Sequence, residues 1–252
     1  VSGLRPAALH PWRVSYAQAV AIQERLRARV RLRPPAGPVR LVAGADVAYS
    51  RPTHRMYAAV VVVSLPALER VETVGAFRAA RFPYIPGLFS FRELPPLLRA
   101  FSRLRRRPDV LFFDGQGLAH PRRFGLACHA GLLLRRPALG CAKSLLVGAH
   151  GPLGLERGAT AELVHEGEVV GAALRTQGGV RPVYVSAGHL LDLPSAVRLV
   201  LATTPRYRIP EPLRLAHQAT EALRRRLDVG VPAPRRRGYP DYLASSSRPA
   251  AR

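Results

Sequence analysis

Hydrophobic residues recur at helical spacing near the start of the chain. Tyr16, Val20, Leu26 and Val30, with Gln23 on the same stripe, predict a helix over residues 16–30 capped by Ser15. A proline- and glycine-rich stretch at 34–38 ends it. Three extended runs follow at 39–49, 57–65 and 70–79, the middle one holding the unbroken apolar segment 58–63, and their short connections predict an antiparallel meander. A loop over 82–90 precedes a helix at 94–106. The run 109–114 reads as a short buried strand, followed by a loop to 123, a helix at 124–134 and a brief strand at 138–141. Residues 160–175 predict a hairpin turning at Glu166 and Gly167, and 182–186 another short strand. Asp192 and Pro194 open a helix to about Thr203, and Pro212 opens the last one, to about Leu227. This order defines an α/β domain with a mixed central sheet, one catalytic unit over 1–228. From 229 to 252 Pro, Arg, Ser and Ala dominate, which predicts a disordered tail whose Arg235, Arg236 and Arg237 are free to touch phosphate.

The 252 residues suffice for a full core. No apolar stretch approaches the ~18 residues of a membrane span. The first fifteen residues carry Pro6, His10, Pro11 and Arg13 instead of an apolar signal core, so a cytoplasmic protein without a membrane partner is expected. Cys128 and Cys141 fit neither a metal-ligand spacing nor a disulfide framework and are expected to be small buried residues.

Charge changes the picture. The formal net charge is +23, from 39 basic and only 16 acidic residues. Such an excess attracts a polyanion, above all nucleic acid, by neutralising phosphates and releasing counterions. A coding bias that exchanges lysine for arginine accounts for the type of base, but not for the scarcity of acid. Within that bias one residue stands apart: all the basic residues except Lys143 are arginine. A lysine is retained where a compact, mobile ammonium does what a planar guanidinium cannot, so Lys143 points to a site, the alternative being one codon that escaped the coding bias.

The few carboxylates inside apolar elements are the other chemical signal. Asp46 lies within the strand 41–49, Asp114 ends the strand 110–113 at Gly115, and Glu93 stands at the start of the helix that follows the 82–90 loop. A charge buried in a strand is costly unless paired or bound to a cation. Carboxylates from a first strand, a helix and a fourth strand could converge at one end of a sheet and bind a hard divalent metal through oxygen, as phosphodiester cleavage requires. Each acid has a structural alternative. Glu93 follows Ser90 at the capping-box spacing, Asp46 could pair with a buried arginine, and Asp114 could bond turn amides.

The motifs Ala43-Gly44-Ala45-Asp46-Val47, Pro83-Tyr84-Ile85-Pro86-Gly87, Phe91-Arg92-Glu93 and Asp114-Gly115-Gln116-Gly117 occur in that order. Ala119-His120-Pro121-Arg122-Arg123-Phe124-Gly125, Ala142-Lys143-Ser144 and Gly188-His189 follow them. Together they make the chain, from about residue 15 to 220, resemble the endonuclease V family. The resemblance implies a ribonuclease H-like fold, dependence on Mg2+ with Mn2+ as a substitute, and incision of DNA at the second phosphodiester 3′ to a flipped-out deoxyinosine by a monomeric enzyme. Carried over by position, Asp46, Glu93 and Asp114 match the metal carboxylates. His120, Lys143 and His189 match basic residues around the scissile phosphate, and Tyr84 matches the aromatic wedge. The base-reading surface would comprise Pro83, Tyr84, Ile85, Gly87, Leu88, Gly115, Gly125, Leu126, Ser144 and Leu146, whose glycines permit close backbone approach. His129 is expected to be structural, and His10, His54, His150, His165 and His217 have no assigned role. Three other readings stay open: inosine in RNA as the substrate, a catalytically silent nucleic-acid-binding protein of the same fold, and an interaction module acting through its basic tail.

Overall fold

The computed structural model describes residues 3–229. Helix α1 (Tyr16–Arg27) starts as predicted, with Ser15 and Gln18 closing a reciprocal capping box. It ends three residues short of the predicted Val30 because the chain tightens there into i→i+3 turns at Arg29 and Val30. Strands β1 (Leu41–Ser50), β2 (Arg55–Ser64) and β3 (Arg70–Ala79) form the antiparallel meander. On the other side of β1, β4 (Val110–Phe113) and then β5 (Ala138–Ala142) run parallel to it. Three antiparallel strands complete the sheet beyond β5: β6 (Thr160–His165), β7 (Glu168–Leu174) and β8 (Val183–Ala187), in the overall order β3-β2-β1-β4-β5-β8-β7-β6. The β6–β7 hairpin turns at Glu166 and Gly167, both at positive φ (54° and 78°), as a type I′ turn requires.

Strand alternation explains the layers. Ala43, Leu111 and Phe113 face one side, under α2 (Phe89–Phe101) and α3 (Leu126–Leu134). Val42, Val110 and Phe112 face the other, under α4 (Leu193–Ala202) and α5 (Glu211–Leu227). Both faces of the central strands are buried, as parallel strands demand. Helix α1 forms an outer layer, packing Ala19, Ile22 and Leu26 on Phe91 and Phe124. Helix α5 lies so close to β1 that a Cβ at Gly44 would stand 2.0 Å from the Pro212 carbonyl oxygen. Beyond α5, Asp228 accepts hydrogen bonds from Tyr57 at 2.6 Å and Thr53 at 3.2 Å, fastening the end of the helix to the sheet. The basic tail expected beyond this point lies, from residue 230, outside the described residues. Among the described residues no helix is long and apolar enough to cross a membrane, and Cys128 and Cys141 are buried and unpaired, as expected.

One element differs materially from its prediction. Helix α2 begins at Phe89, not 94, and carries Pro95 and Pro96 in its interior. Prolines normally mark a first turn, which displaced the predicted start. Burial of Phe91, Leu94, Leu97, Leu98 and Phe101 holds the helix despite two missing N–H donors. The Ser90–Glu93 capping box does not form, since Leu88 is the cap residue and makes no side-chain bond. Ser90 instead meets His129 at 2.9 Å.

That contact belongs to a directional chain. The Pro11 carbonyl, 2.8 Å from His10 Nδ1, can only accept, so His10 donates from Nδ1 and accepts at Nε2. His129 Nε2, 2.7 Å away, then donates, and His129 Nδ1 accepts from the Ser90 hydroxyl. Burial lowers the pKa of both rings, which favours the neutral forms this polarity requires. Burial first, and His10 second, hold the His129 pKa well below its ordinary value. Unfolded, the ring takes a proton near pH ~6.5; folded, only at much lower pH. Its contribution to stability is complete above pH ~6.5 and is lost as pH falls, at about 1.4 kcal/mol per pH unit. Urea titrations between about pH 7.5 and 5 should show this decline, and His129→Gln should reduce its slope. An equal slope in both proteins would remove His129 as its source.

Candidate active site

The parallel register of β1 and β4 sets Ala45 opposite Phe113, so the next residues, Asp46 and Asp114, stand side by side. Glu93 reaches them from the second turn of α2, and all three line one cleft of about 410 Å³. Lys143 follows β5 directly, and its ammonium pairs with the Asp114 carboxylate. Asp46 is nearly enclosed, and its Oδ2 lies 3.2 Å from Nδ1 of His217 on α5.

Crowding sets the electrostatics. Burial, then the charges of Asp46 and Asp114, push the Glu93 pKa up to about 8, with Arg92 opposing. Burial and Asp114 also raise Asp46, against the pull of His217 and Lys143. Oxygen donors that repel one another in this way suit a hard divalent cation. Among the described residues no three His, Cys, Asp or Glu side chains close into a ready-made cage.

The remaining predicted residues divide. Tyr84 is 70% exposed on the rim, its ring 4.6 Å from that of Phe89. Gly87, Gly115, Gly125, Leu126, Ser144 and Leu146 line the same cleft, as does His120. Pro83, Ile85 and Leu88 do not: Leu88 is fully buried at the cap of α2, Ile85 packs on its cluster, and Pro83 lies outside. His120 is buried and turned toward the Gly87 carbonyl at 2.9 Å. Burial foremost, with Arg122 and Arg123 adding to it against the Gly87 bond, brings its pKa down to about 4.

His189 is not brought to the acids. Strand β8 runs antiparallel to β5, pairing Ala187 with Leu139 and Tyr184 with Ala142, so residue 189 lies beyond the end of the sheet opposite Lys143. There it borders a separate cleft with Arg29, Arg31 and Arg135, accepting the Arg31 N–H at 3.3 Å. Conversely, sequence reasoning passed over His217 and Gln23, which the fold brings to the site. His217 borders the buried stripe Leu213, Ala216 and Thr220 of α5, but only tertiary packing reveals that β1 is its neighbour.

A mixed sheet of ribonuclease H-like topology, with carboxylates leaving its first and fourth strands together, defines a metal-dependent nuclease. Comparison with known proteins gives the particular family: the model for Endonuclease V matches residues 24–218, and the chain belongs to the endonuclease V family. It is 54% identical over 215 residues to the endonuclease V of Myxococcus xanthus, covering 85% of this chain and 92% of that one. The crystal structure of the Streptomyces avermitilis endonuclease V superposes with a TM-score of 0.83 at 41% identity, covering 89% of this chain and 99% of that one. A Ciona intestinalis endonuclease V, solved in complex with a 23mer DNA containing an inosine followed by a ribo-adenosine, gives a TM-score of 0.74 at 26% identity, covering 85% and 100%. The protein is accordingly an endonuclease, a hydrolase of phosphodiester bonds.

The opposite placements of the two histidines give a direct test. Single-turnover cleavage by His217→Ala should fall by about tenfold or more, as expected when a hydrogen-bonded partner of a buried carboxylate is removed. His189→Ala should stay near the parent rate. The reverse ranking would mean that the assignment by position along the chain, not the fold, is correct.

Proposed function

We propose that the chain is a Mg2+-dependent endonuclease, with Mn2+ able to serve instead, that recognises deoxyinosine in DNA and hydrolyses the second phosphodiester 3′ to it. The observation that carries this reading is the convergence of Asp46, Asp114 and Glu93 in a cleft whose rim bears an exposed, Pro-flanked Tyr84. The inosine-containing DNA bound by the Ciona relative supports the substrate.

Asp46 and Asp114 would hold the ion and Glu93 would complete its protein ligands; when bound, the ion stabilises charge on the attacking and leaving oxygens. His217 orients Asp46 by holding one of its carboxylate oxygens. Lys143 neutralises Asp114 through its ion pair, and its mobile ammonium would be able to meet a phosphate oxygen when substrate is bound. Glu93, its pKa raised to about 8 by burial and the two aspartates, would hold a cation as the deprotonated carboxylate. Tyr84 fills the gap left when the target nucleotide leaves the stack, a step that costs a few kcal/mol and least at a mismatch. The arginine excess supplies phosphate contacts independent of sequence.

A labelled duplex with one deoxyinosine, incubated with and without Mg2+, tests the whole reading: incision should require both the lesion and the metal. Asp46→Ala and Asp114→Ala should abolish cleavage, while a mobility-shift assay finds binding retained, because each removes several kcal/mol of transition-state stabilisation. Near-parent turnover in either variant at saturating Mg2+ would contradict the metal assignment. The same duplex with a ribonucleotide after the inosine measures any preference for a 2′-hydroxyl.

Lys143→Arg keeps the charge but not its shape. Turnover should fall on the order of 10²-fold, the loss typical of one electrostatic stabiliser, without a change in melting temperature. Parent-level turnover would make the single lysine an accident of codon usage.

A further inference from the structure

One backbone carbonyl in the cleft, that of Gly87, receives three side-chain donors. Gln23 Nε2 reaches it at 2.9 Å from α1, and His120 Nε2 and Arg122 Nη2, each at 2.9 Å, from the loop after β4. The donors also bind one another. Arg122 Nε donates to Gln23 Oε1 at 2.6 Å, and Gln23 Nε2 reaches the Phe124 carbonyl at 3.3 Å. A carbonyl only accepts, so His120 carries its proton on Nε2, and its Nδ1 accepts the Arg122 N–H at 3.1 Å. Both ring nitrogens are committed, and the ring is buried. Arg123, next in the chain, is braced from outside by Glu168 at 2.8 Å and the His165 carbonyl at 3.0 Å.

These contacts converge on the segment that presents Tyr84. Gly87 has φ 77°, and a Cβ there would meet Arg122 Nη2 at 3.0 Å, so the loop closes on its donors because residue 87 has no side chain. Leu88 N–H returns to the Ile85 carbonyl at 3.0 Å, making 85–88 a turn held through one oxygen. Three donors, one of them a guanidinium, exceed the two lone pairs of that oxygen, and the charge-assisted bond strengthens the anchor. Tyr84 stands three residues away, with Phe89 against its ring.

We propose that Gln23, His120 and Arg122 form a positioning lock on the Gly87 carbonyl that fixes how Tyr84 is presented, and thereby sets discrimination between lesion-bearing and intact duplex. His120 then serves as an N–H donor, not as a base or a cation at the phosphate. The role of Tyr84 in this statement rests on the function proposed above; the lock itself does not.

The test compares His120→Ala, His120→Gln and Gln23→Leu in the full chain, on one deoxyinosine in duplex and in single-stranded DNA. A glutamine amide can restore the N–H at the position of Nε2, but it neither titrates nor carries charge. His120→Ala and Gln23→Leu should lower the duplex-to-single-strand rate ratio by roughly tenfold, the usual effect of losing one buried hydrogen bond. His120→Gln should recover most of it. Amide exchange at Leu88 should accelerate in the first two variants and return to the parent rate in His120→Gln. If His120→Ala fails to fold, Gln23→Glu, which keeps the acceptor for Arg122 but loses both N–H donors, takes its place. Equal losses on both substrates, a His120→Gln as impaired as His120→Ala, or parent-like exchange at Leu88 in His120→Ala would overturn the lock. A parent protein that ignores deoxyinosine but shows the exchange pattern would sink the proposed substrate and leave the lock standing.

Discussion

Like-charge repulsion at the end of β4 is the constraint on which the rest of the molecule turns. Hydrophobic burial on both faces of the sheet fixes the parallel register of β1 and β4, and that register leaves Asp46 and Asp114 no freedom to separate. The proton Glu93 retains near neutrality, the ammonium beside Asp114 and the imidazole beside Asp46 are each responses to that crowding. Core packing therefore works against local electrostatics, and core packing prevails. The residual imbalance is what a divalent cation relieves.

Arginine does more here than supply positive charge. Arg92 lies over the Tyr49 ring at 4.6 Å and Arg214 over Tyr207 at 4.7 Å, while Arg208 reaches the Pro182 and Arg181 carbonyls at 2.7 and 2.8 Å. A planar fork with five donors in fixed directions can stack on a ring or span separate carbonyls, a geometry that the single ammonium of a lysine does not offer. The same residue type thus fastens loops and rings and gives the chain its net positive charge. A chain made so basic needs few acids, and those it keeps inside the sheet stand out.

The strands and the late helices were legible because their signals are local: continuous apolar runs of strand length in β1, β2 and β4, and Glu-Gly at a type I′ turn. The acids were legible as charges in apolar runs. Helix α2 was misplaced because two interior prolines imitate a helix start, and only the burial of Phe91 and Leu94 overrides them. His189 was misassigned because position along the chain does not carry strand direction, and β8 reverses it. His217 and Gln23 escaped because their partners lie 171 and 64 residues away. Such contacts are products of packing, and no local pattern encodes them.

The sole lysine has a practical corollary. Its ammonium is half exposed on the rim of the cleft, so apart from a terminal amine the protein offers acylating reagents one target, and that target sits beside the carboxylate cluster. A dye attached there would mark the cleft without any engineered cysteine, and a ligand seated in the cleft would shield the amine from labelling. Protection of a single nitrogen would then serve as a footprint of occupancy, readable by intact mass.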